Sequence, residues 1–476
     1  MGWSSEHCPP GARKGLRAVL PGPQHEIRRH RPVATIPGRA FMRTDILHIG
    51  AGELTYEIRN IVNVGEKLKQ LGIKTYWENI GDPIFKGEEI PRWMKEIVAG
   101  LAMEDASYGY CPTRGVLSTR EFLAEQTNRR GGVQIGPDDI LFFNGLGDAI
   151  SKVFGFLKRT ARVVVPTPSY TTHSSAEAAH AGDRPVTYLL DPYNHWYPDL
   201  EDLEKRIKYN PAVAGILIIN PDNPTGAVYP EEILRGMIAL ARKYDLFVVC
   251  DEIYHNIIYN GYHTKALADI IGEVPGMAMR GISKEMPWPG SRCGWVEFYN
   301  AERDSMFKQY KADLLNAKMV EVCSTTLPQK ALPLVMSHPE YRNYLAERVS
   351  RYERYADIAL ESLQNVEGIL VNRPNGAFYM SVVFEDGALN HRQTLPIENP
   401  EVRAHVESLV NAPKVSLDKR FVYYLLGSTG VWTVPLSSFA TELQGFRTTI
   451  LEKDEERFRR IFKTMADGIQ GYLASA

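Results

Sequence analysis

Ala214–Glu252 reads AGILIINPDNPTGAVYPEEILRGMIALARKYDLFVVCDE. It opens on an apolar run of strand length, AGILIIN (214–220), and passes through a turn rich in proline and glycine. PEEILRGMIALARKYD (230–245) then has apolar residues at helical spacing and acids in its first turn. A second apolar run, LFVVCDE (246–252), closes the unit. Two such runs joined by a helical crossover indicate a parallel sheet covered by helices. ARVVVP (161–166) and PVTYLL (185–190) are further short β-branched runs, so the alternation begins near residue 140. Beyond about residue 330 come a long helical stretch (339–364), then GAFYMSVVF (376–384), then a charged terminal helix, which indicate a smaller α+β domain.

Composition bounds the function. The 476 residues are 44% hydrophobic and 24% charged with a formal net charge of −2, which is ordinary for a soluble protein of two or three domains. No basic patch interleaved with aromatics favours nucleic acid as a partner, so the expected ligand is small. The five cysteines are scattered and show neither CxxC nor zinc-ligand spacing, a pattern suited to a reducing compartment; no metal is expected. No apolar run approaches the roughly 18 to 20 residues needed to cross a bilayer, and the expected location is the cytoplasm. The first forty or so residues are rich in Pro, Gly and Arg and lack apolar periodicity. They read as poorly ordered, with Met42 as an alternative natural start.

In parallel sheets ligands gather beyond the carboxyl ends of the strands, and four such places carry polar groups. Asn223-Pro-Thr-Gly226 forms a turn that aims the asparagine amide into the crevice, although the tetrapeptide also suits an ordinary turn. Asp251 ends an apolar run, where a carboxylate is either a ligand group or a helix cap. PSYTTH (168–173) offers Tyr170 and His173, each equally at home in a core. Gly145-Leu146-Gly147 precedes a helical pattern, leaving free N–H groups for an anion, but lacks the GxGxxG fingerprint of a nicotinamide site. In GISKEMPWPGSRCGW (281–295), Lys284 and Arg292 are loop charges when read alone.

Taken together these groups describe one ligand with a phosphate and a flat ring. In order along the chain stand YGYCPTRGVLSTR (108–120), NGLGDAI (144–150), PSYTTH, NPDNPTGAVYP (220–230), DEIYHNIIY (251–259), SKEMPWPGSR (283–292) and GFRTTIL (445–451). With these motifs the chain resembles the fold-type I pyridoxal-phosphate-dependent aminotransferases of class I/II, most of all the alanine aminotransferases, from about Leu54 to the C-terminus. The resemblance implies an α/β fold, with a mainly parallel sheet carrying helices on both faces in a large cofactor-binding domain, and a smaller α+β domain formed by the N- and C-terminal parts. The expected division is an N-terminal extension (1–45), a segment joining the small domain (46–90), the large domain (91–330) and the small domain (331–476).

The same resemblance assigns roles. Lys284 would carry pyridoxal 5′-phosphate covalently and move the proton from the substrate Cα, a task that suits an amine whose pKa is lowered by its pocket. Asp251 would pair with the pyridine nitrogen. Asn223 and Tyr254 would bond the phenolic oxygen, Tyr170 would stack on the ring, and His173 would orient Asp251. The phosphate would sit on the turn at Gly145 and take the N–H groups of Leu146 and Gly147 together with Arg292. Gly281 stands where many family members have a serine, and Ser283 would compensate. Tyr110 would reach the phosphate of a neighbouring subunit, implying a homodimer with shared sites. Arg447 would hold the substrate carboxylate, and Gly81 and Tyr56 would border the substrate.

The implied activity is ping-pong transfer of an amino group from an L-amino acid, alanine first, to a 2-oxo acid such as 2-oxoglutarate. The alternatives are an aspartate or broad-range aminotransferase, suggested by His173 and the unusual EMPWPGS (285–291), or a lyase or decarboxylase with the same cofactor. An aminotransferase-like transcription regulator would need a DNA-binding domain in front, for which this N-terminus is too short and too rich in proline. The sequence assigns no function to 385–412.

Overall fold

The computed structural model describes residues 46–54 and 57–475. The extension 1–45 and Tyr56 lie outside the described residues. The sheets and the candidate site belong to the second of two units, His48–Ala476.

The larger sheet has eight strands: β1 (Ile140–Asn144), β2 (Arg162–Thr167), β3 (Thr187–Asp191), β4 (Tyr197–Pro198), β5 (Val213–Ile219), β6 (Phe247–Asp251), β7 (Gly276–Gly281) and β8 (Cys293–Tyr299). Their order is β1-β8-β7-β6-β5-β2-β3-β4, with β8 antiparallel to both neighbours, β4 antiparallel to β3, and the other pairings parallel. β5 and β6 are the runs on which the sequence reading rests. Ile216 and Ile218 face one core while Leu217 and Ile219 face the other, so both sides of the strand are apolar because both are covered. The crossover helix between them, Glu231–Lys243, buries Leu234, Met237, Ile238 and Ala241, a stripe at helical spacing. Glu231 and Glu232 lie in its first turn and Arg242 and Lys243 in its last, each favourable to the helix dipole.

Parallel register brings the carboxyl ends of the central strands level. Ile219 is paired with Asp251 and Asp251 with Met279. Because β8 runs the other way, its first residues lie at this same edge, Gly281 pairing with Gly294. The edge therefore gathers the ends of β1, β2, β5, β6 and β7 and the start of β8.

A smaller sheet comprises β9 (Ile369–Val371), β10 (Tyr379–Phe384), β11 (Val434–Pro435) and β12 (Gly445–Thr449), antiparallel throughout in the order β9-β10-β12-β11. The long helix Tyr341–Leu363 and the terminal helix Glu455–Leu473 pack together, with the rings of Tyr355 and Phe458 stacked 4.4 Å apart. Within the stretch left without a function, Pro400–Val410 forms a helix capped by Asn399 and buries Val402, Val406 and Val410. The split into large and small domains at residue 330 is our proposal; that boundary falls inside the helix Thr326–Met336. Among the described residues, no helix is long and apolar enough to cross a membrane.

The segment 76–88 lies against the smaller sheet. Tyr76–Trp77 pairs in parallel with Val431–Trp432. Glu78 O accepts from Thr449 N at 2.9 Å, and the Glu78 carboxylate accepts from Thr449 Oγ1 at 2.7 Å and from Lys86 Nζ at 2.6 Å.

Candidate active site

Asn223, in the turn after β5, and Asp251, at the end of β6, stand at the same edge of the large sheet. The Asp222 carboxylate accepts from Thr225 N at 3.0 Å and Thr225 Oγ1 at 2.6 Å, which closes the turn that carries Asn223. Gly226 ends this turn with φ +75°, and a Cβ there would collide with Tyr379 O, so the turn needs glycine on both counts. Asn223 is buried, and its Oδ1 accepts from Arg447 Nη1 at 3.2 Å.

Asp251 is buried at the end of β6. One carboxylate oxygen accepts from Ile253 N at 3.1 Å, and the other lies 2.9 Å from His173 Nε2. His173, also buried, stands in the first turn of the helix Thr171–Ala181, whose N-cap is Tyr170. Tyr254 lies in the turn after β6, with its hydroxyl 3.0 Å from that of Tyr379. Burial holds its phenol well above the ordinary range, with the neighbouring Tyr379 adding to the effect.

Lys284 follows β7 in a turn, one residue after the half-buried Ser283. Its Nζ donates to Gly81 O at 2.6 Å and lies 5.7 Å from the centre of the Phe378 ring. Burial lowers its pKa to about 8; Arg447 and Arg292 push the same way, while Asp82 and Asp251 oppose them. An amine in this state exchanges a proton near neutrality, as a general base must.

At the end of β1, Gly145 turns the chain with φ +81° and caps the helix Leu146–Gly155. The first N–H groups of a helix have no partner within it, so those of Leu146 and Gly147 are available to an anion. A Cβ on Gly145 would lie 2.5 Å from Arg292 Nη2, so glycine is what lets the guanidinium close on this turn. Arg292 also donates to Asn144 O at 3.4 Å. A phosphate, a flat ring and a group that condenses with an amine would thus find a cradle, a carboxylate and Lys284 along one edge.

Arg447 comes from β12, paired with Ser381 on β10, and is 2% exposed. Its guanidinium lies 4.6 Å from the Tyr379 ring centre and 5.1 Å from that of Phe439. Nη2 donates to Asn79 O, and Nε has no hydrogen-bond partner among the described residues. Tyr110, by contrast, is 85% exposed.

Three participants escape the sequence reading: Tyr379, Asn79 and Phe439. Tyr379 touches Tyr254 and Arg447 and leaves no room for a Cβ at Gly81. GAFYMSVVF marks its strand, but the face it presents depends on the pairing of β10 with β12. Asn79 stands within NIGDP (79–83), where only Gly81 attracts attention.

The chain matches the family model described as aminotransferase class I and II over residues 79–463. It is 57% identical to an uncharacterized aminotransferase of Methanocaldococcus jannaschii, over 91% of this chain and 100% of that protein. It is 31% identical to the alanine aminotransferase of Mycobacterium tuberculosis, over 72% of this chain and 78% of that one. Among solved structures, the alanine aminotransferase of Pyrococcus furiosus superposes with a TM-score of 0.75 at 27% identity, covering 88% of this chain and 98% of its own.

Proposed function

Because the chain belongs to the class I and II aminotransferase family, we propose that its amino donor is L-alanine and its acceptor a 2-oxo acid such as 2-oxoglutarate. The chain is an aminotransferase that depends on pyridoxal 5′-phosphate and acts on amino and 2-oxo acids. The residues present fit that cofactor, since Gly145 leaves space for Arg292 at the helix N-terminus and the amine of Lys284 is depressed to about 8. When bound, the cofactor supplies a conjugated ring that accepts the electron pair left when the substrate Cα loses its proton.

In our reading the phosphate would be held by Arg292, Ser283 and the N–H groups of Leu146 and Gly147, on the turn that Gly145 opens. Asp251, oriented by His173, would pair with the ring nitrogen and favour its protonated form. Asn223 and Tyr254 would bond the phenolic oxygen, and Tyr170 would stack on the ring. Lys284 takes the Cα proton at Nζ and returns it on the other side of the transfer. Arg447 grips the α-carboxylate with its planar fork. Gly81 and Tyr56 border the substrate, and Tyr110 of a second copy completes the phosphate site in a homodimer.

The observation that carries the reading is the buried Arg447 fork, held between two aromatic rings with Nε left for an acceptor, beside an amine poised to exchange a proton. The choice of alanine is supported by the relatives that bear that name. Aspartate is the second reading, favoured by the His173–Asp251 contact. The test compares kcat/KM for alanine, aspartate, valine and phenylalanine with 2-oxoglutarate as acceptor, and alanine is expected to lead. Another donor ahead by tenfold, about 1.4 kcal/mol of transition-state discrimination, overturns the alanine assignment and leaves the aminotransferase in place.

A further inference from the structure

Arg348, on the helix Tyr341–Leu363, lies outside every motif of the family resemblance, yet its buried guanidinium reaches the main chain of the reacting lysine. Nη1 donates to Lys284 O at 3.1 Å and to Glu285 O. Nε donates to Glu88 Oε1, and Nη2 donates to Tyr352 Oη at 2.9 Å. Glu88 is held from other sides as well, its Oε2 accepting from Arg351 Nη2 at 2.7 Å and Tyr352 Oη at 3.2 Å. Burial pushes the Glu88 carboxyl up, but the two guanidinium groups outweigh it and hold the carboxyl below its usual range.

This arrangement ties Lys284 at both ends to one segment. Its Nζ is bonded by Gly81 O, and its carbonyl is bonded by an arginine that Glu88 anchors. The turn itself is stiff, because Pro287 and Pro289 each fix φ and remove a donor. Stability does not explain the burial of these charges, since an ion pair in a protein interior is often no better than a well-packed apolar replacement. The bonds from Arg348 serve location: they set where the backbone of Lys284 sits relative to the segment that borders the substrate.

We propose that Arg348 is a positioning residue for the amine of Lys284, coupling that amine through Glu88 to the segment 79–88. The coupling rests on Lys284 being the reacting amine. Arg348→Lys keeps a charge beside Glu88, but one ammonium cannot span Glu88, Tyr352 and two carbonyls. The pair Arg348→Met with Glu88→Gln leaves no buried carboxylate short of a partner, and Glu88→Gln alone controls for the carboxylate that Arg351 loses in it. Each full-length variant is measured in three ways: by its melting temperature, by the single-turnover rate of the holoenzyme with an amino acid, and by the pH midpoint for reductive methylation of Lys284 in cofactor-free protein, read by mass spectrometry.

Both Arg348 variants are expected to lose roughly 10- to 100-fold in single-turnover rate, the scale of a misplacement near 1 Å. Their Lys284 midpoint is expected to rise from about 8 towards that of an ordinary lysine. A lowered melting temperature with unchanged rate and midpoint would mean a structural role alone and overturns the coupling. Borohydride fixation of the cofactor to a different lysine in the unmodified protein overturns the Lys284 assignment and the coupling with it. Fixation to Lys284 with an unmoved midpoint overturns the coupling only.

Discussion

Replacement of Arg447 by lysine isolates the carboxylate clamp. The guanidinium donates to Asn79 O and Asn223 Oδ1 through its two terminal nitrogens and faces two rings, which leaves Nε as the donor without a partner among the described residues. A lysine keeps the charge and part of the ring contact, worth roughly 0.5 to 2 kcal/mol. It loses the fork, so the substrate carboxylate gives up at least one hydrogen bond to a charged donor, about 1.5 to 3 kcal/mol. That predicts a fall in kcat/KM of roughly 10- to 150-fold. Every amino acid carries the same α-carboxylate, so the factor should be nearly equal for alanine, aspartate, valine and phenylalanine. The assay is steady-state kinetics across that panel, with cofactor content checked by absorbance to show that the site is still loaded. A fall confined to one side chain would assign Arg447 to side-chain recognition, and a change under threefold would remove it from substrate binding.

Asp251→Ala should retain some cofactor yet slow the single-turnover half-reaction by orders of magnitude, because the carboxylate's hold on the ring nitrogen is worth about 1 to 3 pKa units; near-normal turnover would refute the pairing. Gly81→Ala should force Tyr379 aside and break its contact with Tyr254, lowering stability by about 1 to 3 kcal/mol in urea titration; an unchanged midpoint would show that the wall yields freely. Lys284 has a folded pKa of about 8, below the unfolded value of roughly 10.4. Between those values the unfolded chain binds more protons, so the stability of the cofactor-free protein should rise with pH across that window relative to Lys284→Met. Equal slopes for the two proteins would refute the depressed amine.

Legibility in the sequence follows the range of the interaction. The runs at 161–166, 214–220 and 246–252 appear as strands β2, β5 and β6, because burial on both faces writes itself as continuous apolar sequence, and 185–190 appears as β3, buried at alternate residues. Asn223, Asp251 and Lys284 stand at strand ends, where position along one segment is enough to suspect them. β8 is harder to see, since CGWVEFY begins directly after a motif that draws attention to Lys284 and Arg292, and nothing local says that it runs antiparallel. Tyr379 and Arg348 are harder still. Each acts on groups in other segments, Arg348 reaching a carbonyl 64 residues away, and a single sequence holds no record of which long-range pair will form.

The bond between Arg447 and the Asn79 carbonyl joins residues 368 apart. Synthesis runs from the N-terminus, so the strand that carries Arg447 emerges after the whole of the large sheet. Until it pairs with β10, Asn223 and the segment at Asn79 lack the cation they face. Closing the Asn79 contact over such a span is slow and entropically costly, so a nascent chain can complete its central sheet well before it has a substrate clamp. Competence for the reaction therefore waits on completion of the smaller sheet, and loss of β12 should leave a cofactor-binding body with no grip on amino acids.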